Sequence, residues 1–280
     1  MNRQADDLAR ALLAIGDATL LVVTGAGISR ASGIPTFRGP EPGAVWKTSD
    51  VTLATFDYFL RDPVGQWQWY LKRFESVRAA KPNPAHQALV ELESWHDTRG
   101  GRFRLVTQNI DTLHERAGSK NLIKVHGTSD RVRCASRGCK LGAPTGSLPI
   151  AEDDFSAFVA EPIRANLPIC PDCQSLLRAH VLFFDEYYLE HSDYRFIEAE
   201  ALAETARLIL FVGTSFSVGV TDLYLQRGHQ RGIPMFSIDP AAPGQTSSVL
   251  ETLSAPAEDL LPVVCRLLNE GPAADERAHF

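Results

Sequence analysis

Apolar residues along this chain gather in short runs, each followed by small or polar residues. The runs are TLLVVTG (19–25), RFRLVTQ (102–108), LIKV (122–125), HVLFF (180–184), RLILFVG (207–213) and IPMFSID (233–239). Their length and β-branched content predict strands buried on both faces. Between them the apolar spacing turns helical, in PAHQALVELESWH (84–96), DTLHERAG (111–118), a stretch near 192–205 and TDLYLQRGHQ (221–230). The opening segment MNRQADDLARALLAIGDA predicts an amphipathic helix. Strands alternating with helices predict an α/β fold, a Rossmann-like doubly wound parallel sheet. Ligands of such sheets bind at the carboxyl ends of the strands. The conspicuous polar groups stand there: GAGIS, TQNID, His126 with Gly127, GTS and SID.

Two segments break the alternation. Residues 46–80 are rich in aromatics at helical spacing, and residues 129–180 carry cysteines among Gly and Pro. Together they predict a smaller helical and zinc-binding domain formed by two insertions. The larger domain would comprise 1–45, 81–128 and 181–272, with 273–280 as a tail. Cys134 and Cys139 form C-x4-C, Cys170 and Cys173 form C-x2-C, and thirty residues lie between the pairs. Two short loops that each offer two thiolates suit one tetrahedral zinc per chain. Four sulfurs leave no position for water, so the zinc would be structural. Cys265, in the apolar helical stretch LLPVVCRLL, reads as a core thiol.

The chain has 280 residues, 44% of them hydrophobic, and a formal net charge of -6. That is ample for a large core. With no basic tract, nothing favours direct nucleic-acid binding. No apolar run has the length of a membrane span, and the acid-bearing N-terminal segment is unlike a signal or transit peptide. A cytoplasmic location is therefore expected, where reduced thiols favour zinc over disulfides.

At the first strand end, Gly25 and Gly27 let backbone approach a phosphate closely. Arg30 stands at the third glycine position of G-x-G-x-x-G, so this turn alone is equally a plain strand-to-helix junction. Phe37 and Arg38, in the loop IPTFRG, offer an aromatic and a guanidinium to a charged planar ligand. Gln108, Asn109 and Asp111 follow the second strand, where Asp111 could simply cap the next helix. His126, taken alone, is more often structural than a base.

In this order and spacing, GAGISRASGIPTFRG, TQNIDTLHERAG, VHG, the paired cysteines, FFDE, GTS and SID resemble the sirtuins, NAD-dependent protein-lysine deacylases. The resemblance covers roughly residues 8–268. It implies that NAD and an acyl-lysine peptide meet between the two domains. It assigns Gly25, Ala26, Gly27 and Ser29 to the pyrophosphate, and Thr36, Phe37 and Arg38 to a cofactor loop. Ile34, Asn109, Ile110 and Asp111 would line a nicotinamide pocket. Gly213, Thr214 and Ser215 would contact ribose or phosphate, and Ser237 and Asp239 the adenosine side. Gln108 and Ala257 complete the implied cofactor set. The acyl oxygen would attack the nicotinamide ribose carbon and expel nicotinamide. His126 would then activate a ribose hydroxyl, leaving free lysine and 2′-O-acyl-ADP-ribose. A base with a pKa near neutrality is expected for that step.

Tyr70 and Arg73, spaced Tyr-x-x-Arg, resemble the sirtuin branch that removes succinyl, malonyl or glutaryl groups. There a phenol and a guanidinium bind the distal carboxylate. Thr36, where common deacetylases carry Asp, fits that branch too. Without the family, the pair reads as an aromatic helix face with a solvated arginine. Some positions depart from the family. Phe184-Asp185-Glu186 replaces the usual Phe-Gly-Glu of the strand that pairs with substrate peptide. Across the peptide slot, near Val218, Val220 stands where Pro is common. Ser237 replaces the usual Asn. Within NAD chemistry the competing activity is an NADase or mono-ADP-ribosyltransferase; outside catalysis it is an NAD-sensing zinc module.

Overall fold

A computed structural model describes residues 2–36, 44–45, 50–151, 155–216, 219–240 and 249–270. Six strands form a sheet in which every pairing is parallel: β1 (Thr19–Thr24), β2 (Arg102–Thr107), β3 (Leu122–Lys124), β7 (Ala206–Val212), β8 (Met235–Ile238) and β9 (Leu250–Leu253). Their order is β3-β2-β1-β7-β8-β9. From β1 the chain first builds outward through β2 and β3. It then returns to the other side of β1 and builds outward through β7, β8 and β9. The reversal lies between β1 and β7, where a crevice opens beyond the strand ends.

Alternation along the strands sorts the two faces. Leu20, Val22, Leu208 and Leu210 pack with α1 (Arg3–Ala14), α4 (Pro84–Asp97) and α9 (Ala257–Glu270). Leu21, Val23, Ile209 and Phe211 face the opposite way, toward α7 (Phe196–Thr205) and α8 (Gly219–Arg231). Local chemistry starts the helices on the first face. Asn2 caps α1, and Asn83 forms a capping box with His86 before Pro84 at the start of α4. Cys265 is buried as expected. Its thiol donates to the Ala88 carbonyl at 3.3 Å, and burial pushes its pKa up to about 12.

The two insertions form a second core. The first insertion supplies α2 (Phe56–Arg61) and α3 (Pro63–Ala79), capped by Thr55 and Asp62. The second supplies β5 (Leu148–Pro149) and α6 (Ser156–Ala160). A small antiparallel sheet has the order β5-β4-β6, with β4 at Gly127–Cys134 and β6 at Leu177–Val181. Trp67, Tyr70, Phe74, Phe158 and Phe183 fill the space around it. Here the sequence expectation needs correcting. The run at 180–184 does not join the parallel sheet; β6 begins at Leu177 and pairs antiparallel with β4. Neither β4 nor β6 reads as a strand, because each carries a buried arginine, Arg133 or Arg178. Strand β9, on the edge of the main sheet, reads LETL, with polar residues at both central positions and so no apolar run. Among the described residues no helix is long and apolar enough to cross a membrane.

Candidate active site

The loops that follow β1 and β7 meet at the switch point. The Gly25 N–H donates to the Val212 carbonyl at 3.1 Å, and the Gly27 N–H to the Gly213 carbonyl at 2.8 Å. A Cβ on Gly27 would lie 2.6 Å from the Gly213 Cα, and one on Gly213 would lie 2.3 Å from the Ile28 nitrogen. Gly213 also has φ +60°, which side-chain-bearing residues rarely adopt. Glycine is therefore needed for the two loops to touch. The helix that follows Gly25 is a 3₁₀ turn over Ala26–Ser32.

A web of polar groups covers this junction. Asn109 Nδ2 donates to the Gly25 carbonyl at 3.0 Å and to Ser29 Oγ at 3.3 Å. Ser29 Oγ donates in turn to Asp111 Oδ2 at 2.9 Å. Gln108 Nε2 reaches the Thr24 carbonyl and Thr214 Oγ1, each at 3.3 Å. Asp111 uses both of its carboxylate oxygens. One carboxylate oxygen holds Ser29, and the other accepts the Leu113 N–H at 3.0 Å, at the start of α5 (Leu113–Ala117). Glycine backbone, hydroxyls and amides converge here, a donor set that suits the pyrophosphate and carboxamide of NAD.

His126 lies between β3 and β4. Its Nδ1 is 2.8 Å from the Gln108 carbonyl oxygen, which can only accept, so Nδ1 carries the proton. The lone pair of the neutral ring is then on Nε2. Burial pushes the imidazole down to about 4, with the Gln108 carbonyl partly offsetting that. This corrects the expectation of a pKa near neutrality: the low-dielectric surroundings disfavour the charged ring. The ring is neutral at physiological pH, with Nε2 as its acceptor. Nε2 faces the Tyr188 hydroxyl at 3.2 Å. The Tyr188 ring lies nearly parallel to His126 and stacks on Phe196 with centroids 4.2 Å apart. Sequence reading missed Tyr188. Its only signal is a pair of tyrosines after FFDE, outside any periodic element.

The four paired cysteines converge. Their sulfurs all lie within 4.8 Å of one another, with Cys134 to Cys173 at 3.4 Å and Cys139 to Cys170 at 3.7 Å. Tetrahedral zinc with Zn–S bonds of ~2.3 Å requires sulfurs ~3.8 Å apart, so the set fits such an ion.

A model of the Sir2 family matches residues 25–220. The chain belongs to the Sir2 family. It is similar to an NAD-dependent protein deacylase of Thermus thermophilus, 44% identical over 70% of this chain and 69% of the relative. It is also similar to the mitochondrial deacylase sirtuin-5 of Danio rerio, 37% identical over 77% and 72%. Among solved structures, a Sir2 homologue in complex with NAD superposes with a TM-score of 0.76 at 34% identity, covering 95% of this chain and 94% of that one. A Sir2–p53 peptide–NAD+ complex gives 0.73 at 28% identity, covering 95% and 97%.

On the sheet side of this Sir2 fold, the other expected residues hold varied positions. Ile34 packs with Val77, Ala80 and Leu113. The Thr36 carbonyl accepts the Val45 N–H at 2.9 Å. Ser215 follows Thr214 beyond β7. Ser237 is buried within β8, and the N–H of Asp239 donates to the Leu253 carbonyl at 3.3 Å. Ala257 opens α9 and packs into the core on that face. Phe37, Arg38 and Val218 lie outside the described residues.

In the smaller unit, Tyr70 and Arg73 lie on α3. Tyr70 is buried against Trp69, Phe74 and Phe183, and burial pushes its phenol strongly upward. Arg73 is half-buried, its guanidinium 5.1 Å from the Trp69 ring, and burial lowers its pKa. The side chain of Ile110, between Asn109 and Asp111, packs against this same cluster. The departures at 184–186 also find partners. The Phe184 N–H donates to the Ala54 carbonyl at 3.0 Å. The Asp185 carboxylate accepts from the N–H groups of Phe56 at 2.7 Å and Asp57 at 3.0 Å, at the start of α2. Glu186 accepts from Arg133 at 2.9 Å, Arg178 at 2.8 Å and the Phe183 N–H at 2.9 Å. Burial alone would raise the Glu186 pKa, but the two guanidinium groups hold it below the ordinary carboxylate value.

Proposed function

We propose that this chain removes acidic acyl groups (succinyl, malonyl or glutaryl) from lysine in preference to acetyl groups. NAD-dependent protein-lysine deacylation is the activity of this Sir2-family chain, with acyl-lysine peptides or proteins as substrates. When bound, NAD supplies a ribose carbon that nicotinamide can leave and a hydroxyl that receives the acyl group. We assign Gly25, Gly27, Ser29, Gly213 and Thr214 to its phosphates and ribose, and Asn109, Ile110 and Asp111 to its carboxamide end. His126, neutral with its lone pair on Nε2, would take the hydroxyl proton. The acyl-lysine would lie between the sheet edge and the aromatic cluster.

The observation that supports acidic-acyl preference is the environment of Tyr70 and Arg73. They stand one turn apart on α3: Tyr70 lies in the cluster that Ile110 joins, and the Arg73 guanidinium lies over the Trp69 ring that packs against it. An acyl chain that passes Ile110 would meet apolar walls with a phenol and a guanidinium among them. A carboxylate ending there would form charge-assisted bonds, whereas an acetyl group would leave Arg73 without that partner. The test is kcat/KM for acetyl- and succinyl-lysine peptides in wild type and Arg73→Met. Loss of one charge-assisted contact predicts that the substitution lowers the succinyl-to-acetyl ratio by about ten- to a hundredfold. Equal efficiency on both peptides, with the ratio unmoved by Arg73→Met, would overturn the preference. Absence of nicotinamide release with either peptide would overturn deacylation itself.

A further inference from the structure

We propose that Tyr188 both positions and masks the base: its ring orients the His126 imidazole, and its hydroxyl occupies Nε2, the atom that must accept the ribose proton, so a ribose hydroxyl gains the base only when the phenol O–H turns away. The inference rests on the reading of His126 as base. Its geometry is independent of that reading. The Gln108 carbonyl places the imidazole proton on Nδ1, which leaves Nε2 as the sole acceptor. The hydroxyl nearest to it is that of Tyr188, at 3.2 Å. This exceeds the distance of a strong O–H bond, so the contact is readily given up. Burial pushes the phenol pKa upward, which keeps it protonated and a donor.

The ring and the hydroxyl of Tyr188 do different things. The ring is clamped between His126 and Phe196, with interplanar angles of 22° and 13°. It therefore fixes the plane of the imidazole. The backbone N–H of Val220, at the start of α8, faces the hydroxyl and partly offsets the effect of burial on its pKa. A proline at 220, the residue common in the family at this position, would have no N–H to offer. With the ring held, a turn of the O–H torsion is enough to release Nε2. The ribose O–H bond then breaks, an N–H bond forms at Nε2, and the imidazolium keeps its Nδ1–H bond to the Gln108 carbonyl. The ribose oxygen would keep the O–H electron pair for attack on the acyl carbon, whose π pair would pass to the lysine nitrogen.

The test compares two activities of one enzyme on an acyl-lysine peptide with NAD. Nicotinamide exchange precedes the base's step, whereas deacylation includes it. Tyr188→Phe keeps both ring contacts and removes the hydroxyl that competes for Nε2. The expected result is a deacylation-to-exchange ratio raised about three- to tenfold, the span of one ordinary hydrogen bond. A second readout is the ¹⁵N shift of His126 Nε2 in the ligand-free protein, expected to move toward that of an unbonded acceptor. Val220→Pro, tolerated in the first helical turn, should move the ratio the same way by a smaller factor. An unchanged ratio with an unchanged ¹⁵N shift would mean that Tyr188 only packs. A ratio lowered tenfold or more would mean that the phenol relays the proton. Either overturns the proposal. Absence of exchange in wild type would instead overturn the deacylase reading.

Discussion

At the carboxyl edge of the parallel sheet, the groups that meet are small and many of their partners are backbone. Gly25 and Gly27 bond to Val212 and Gly213, and Asn109 and Gln108 reach the carbonyls of Gly25 and Thr24. In the smaller unit long and charged side chains carry the polar contacts, two of them arginines buried to 2% exposure. Arg133 and Arg178 share Glu186, Asp185 caps α2, and four thiols stand within 4.8 Å. The first region gains precision by deleting side chains so that backbones touch. The second has fewer apolar residues to bury, and is held by ion pairs, aromatic rings and a four-thiol site that fits a zinc ion. A substitution that adds a methyl group damages the first, whereas loss of one charge or one ligand damages the second.

The largest expected effect confines damage to the second region. A structural zinc in small peptides contributes on the order of 10 kcal/mol of apparent binding energy. Cys173→Ala should abolish zinc binding by metal analysis and raise amide exchange across β4 and β6. Exchange in α1, α4 and α9 should change far less. Protection lost evenly over both regions would show that they do not differ in this way.

A smaller loss should follow Glu186→Gln. Removing one partner of a buried ion pair costs about 3–5 kcal/mol, because the remaining charge is stranded. Both arginines are 2% exposed, so water cannot take the place of the carboxylate. Denaturant unfolding should show the drop, and acyl-peptide affinity should fall more than NAD affinity. An unchanged midpoint would contradict the assignment.

Mild acid should act on both regions and produce the smallest change. Burial pushes His86 and His126 down to about 4 near the sheet edge, and His180 to about 2 in the small sheet, where His191 and three arginines add to the effect. An unfolded histidine titrates near 6.5, so the unfolded chain binds more protons below that pH. Stability is therefore full above the unfolded pKa and falls as pH drops through it toward the folded values. From pH 7 to 6 each such imidazole costs roughly 0.7 kcal/mol. Thermal unfolding at the two pH values checks this, and a constant Tm would refute it.

Much of the fold was legible because its signals are local. The runs at 19–25, 102–108, 122–125, 207–213 and 233–239 coincide with β1, β2, β3, β7 and β8 to within two residues at either end. The glycines and polar residues at their ends lie in sequence where the sheet brings them together in space. The small sheet was not legible. GTSDRVRC and LRAHV look polar until Arg133 and Arg178 find Glu186. Tyr188 was missed for a related reason: stacking on His126 joins residues 62 positions apart, and no periodicity encodes it.

The sequence by itself determined the parallel α/β sheet, the four zinc-ligand cysteines and the family, since each rests on short-range spacing and residue type. Only the tertiary structure decided the antiparallel pairing of β6, the low pKa of His126, the tautomer set by Gln108 and the roles of Asp185 and Glu186. Those depend on burial and on partners distant in the chain. Desolvation and the choice of hydrogen-bond partner come into being only when separate segments close on one another.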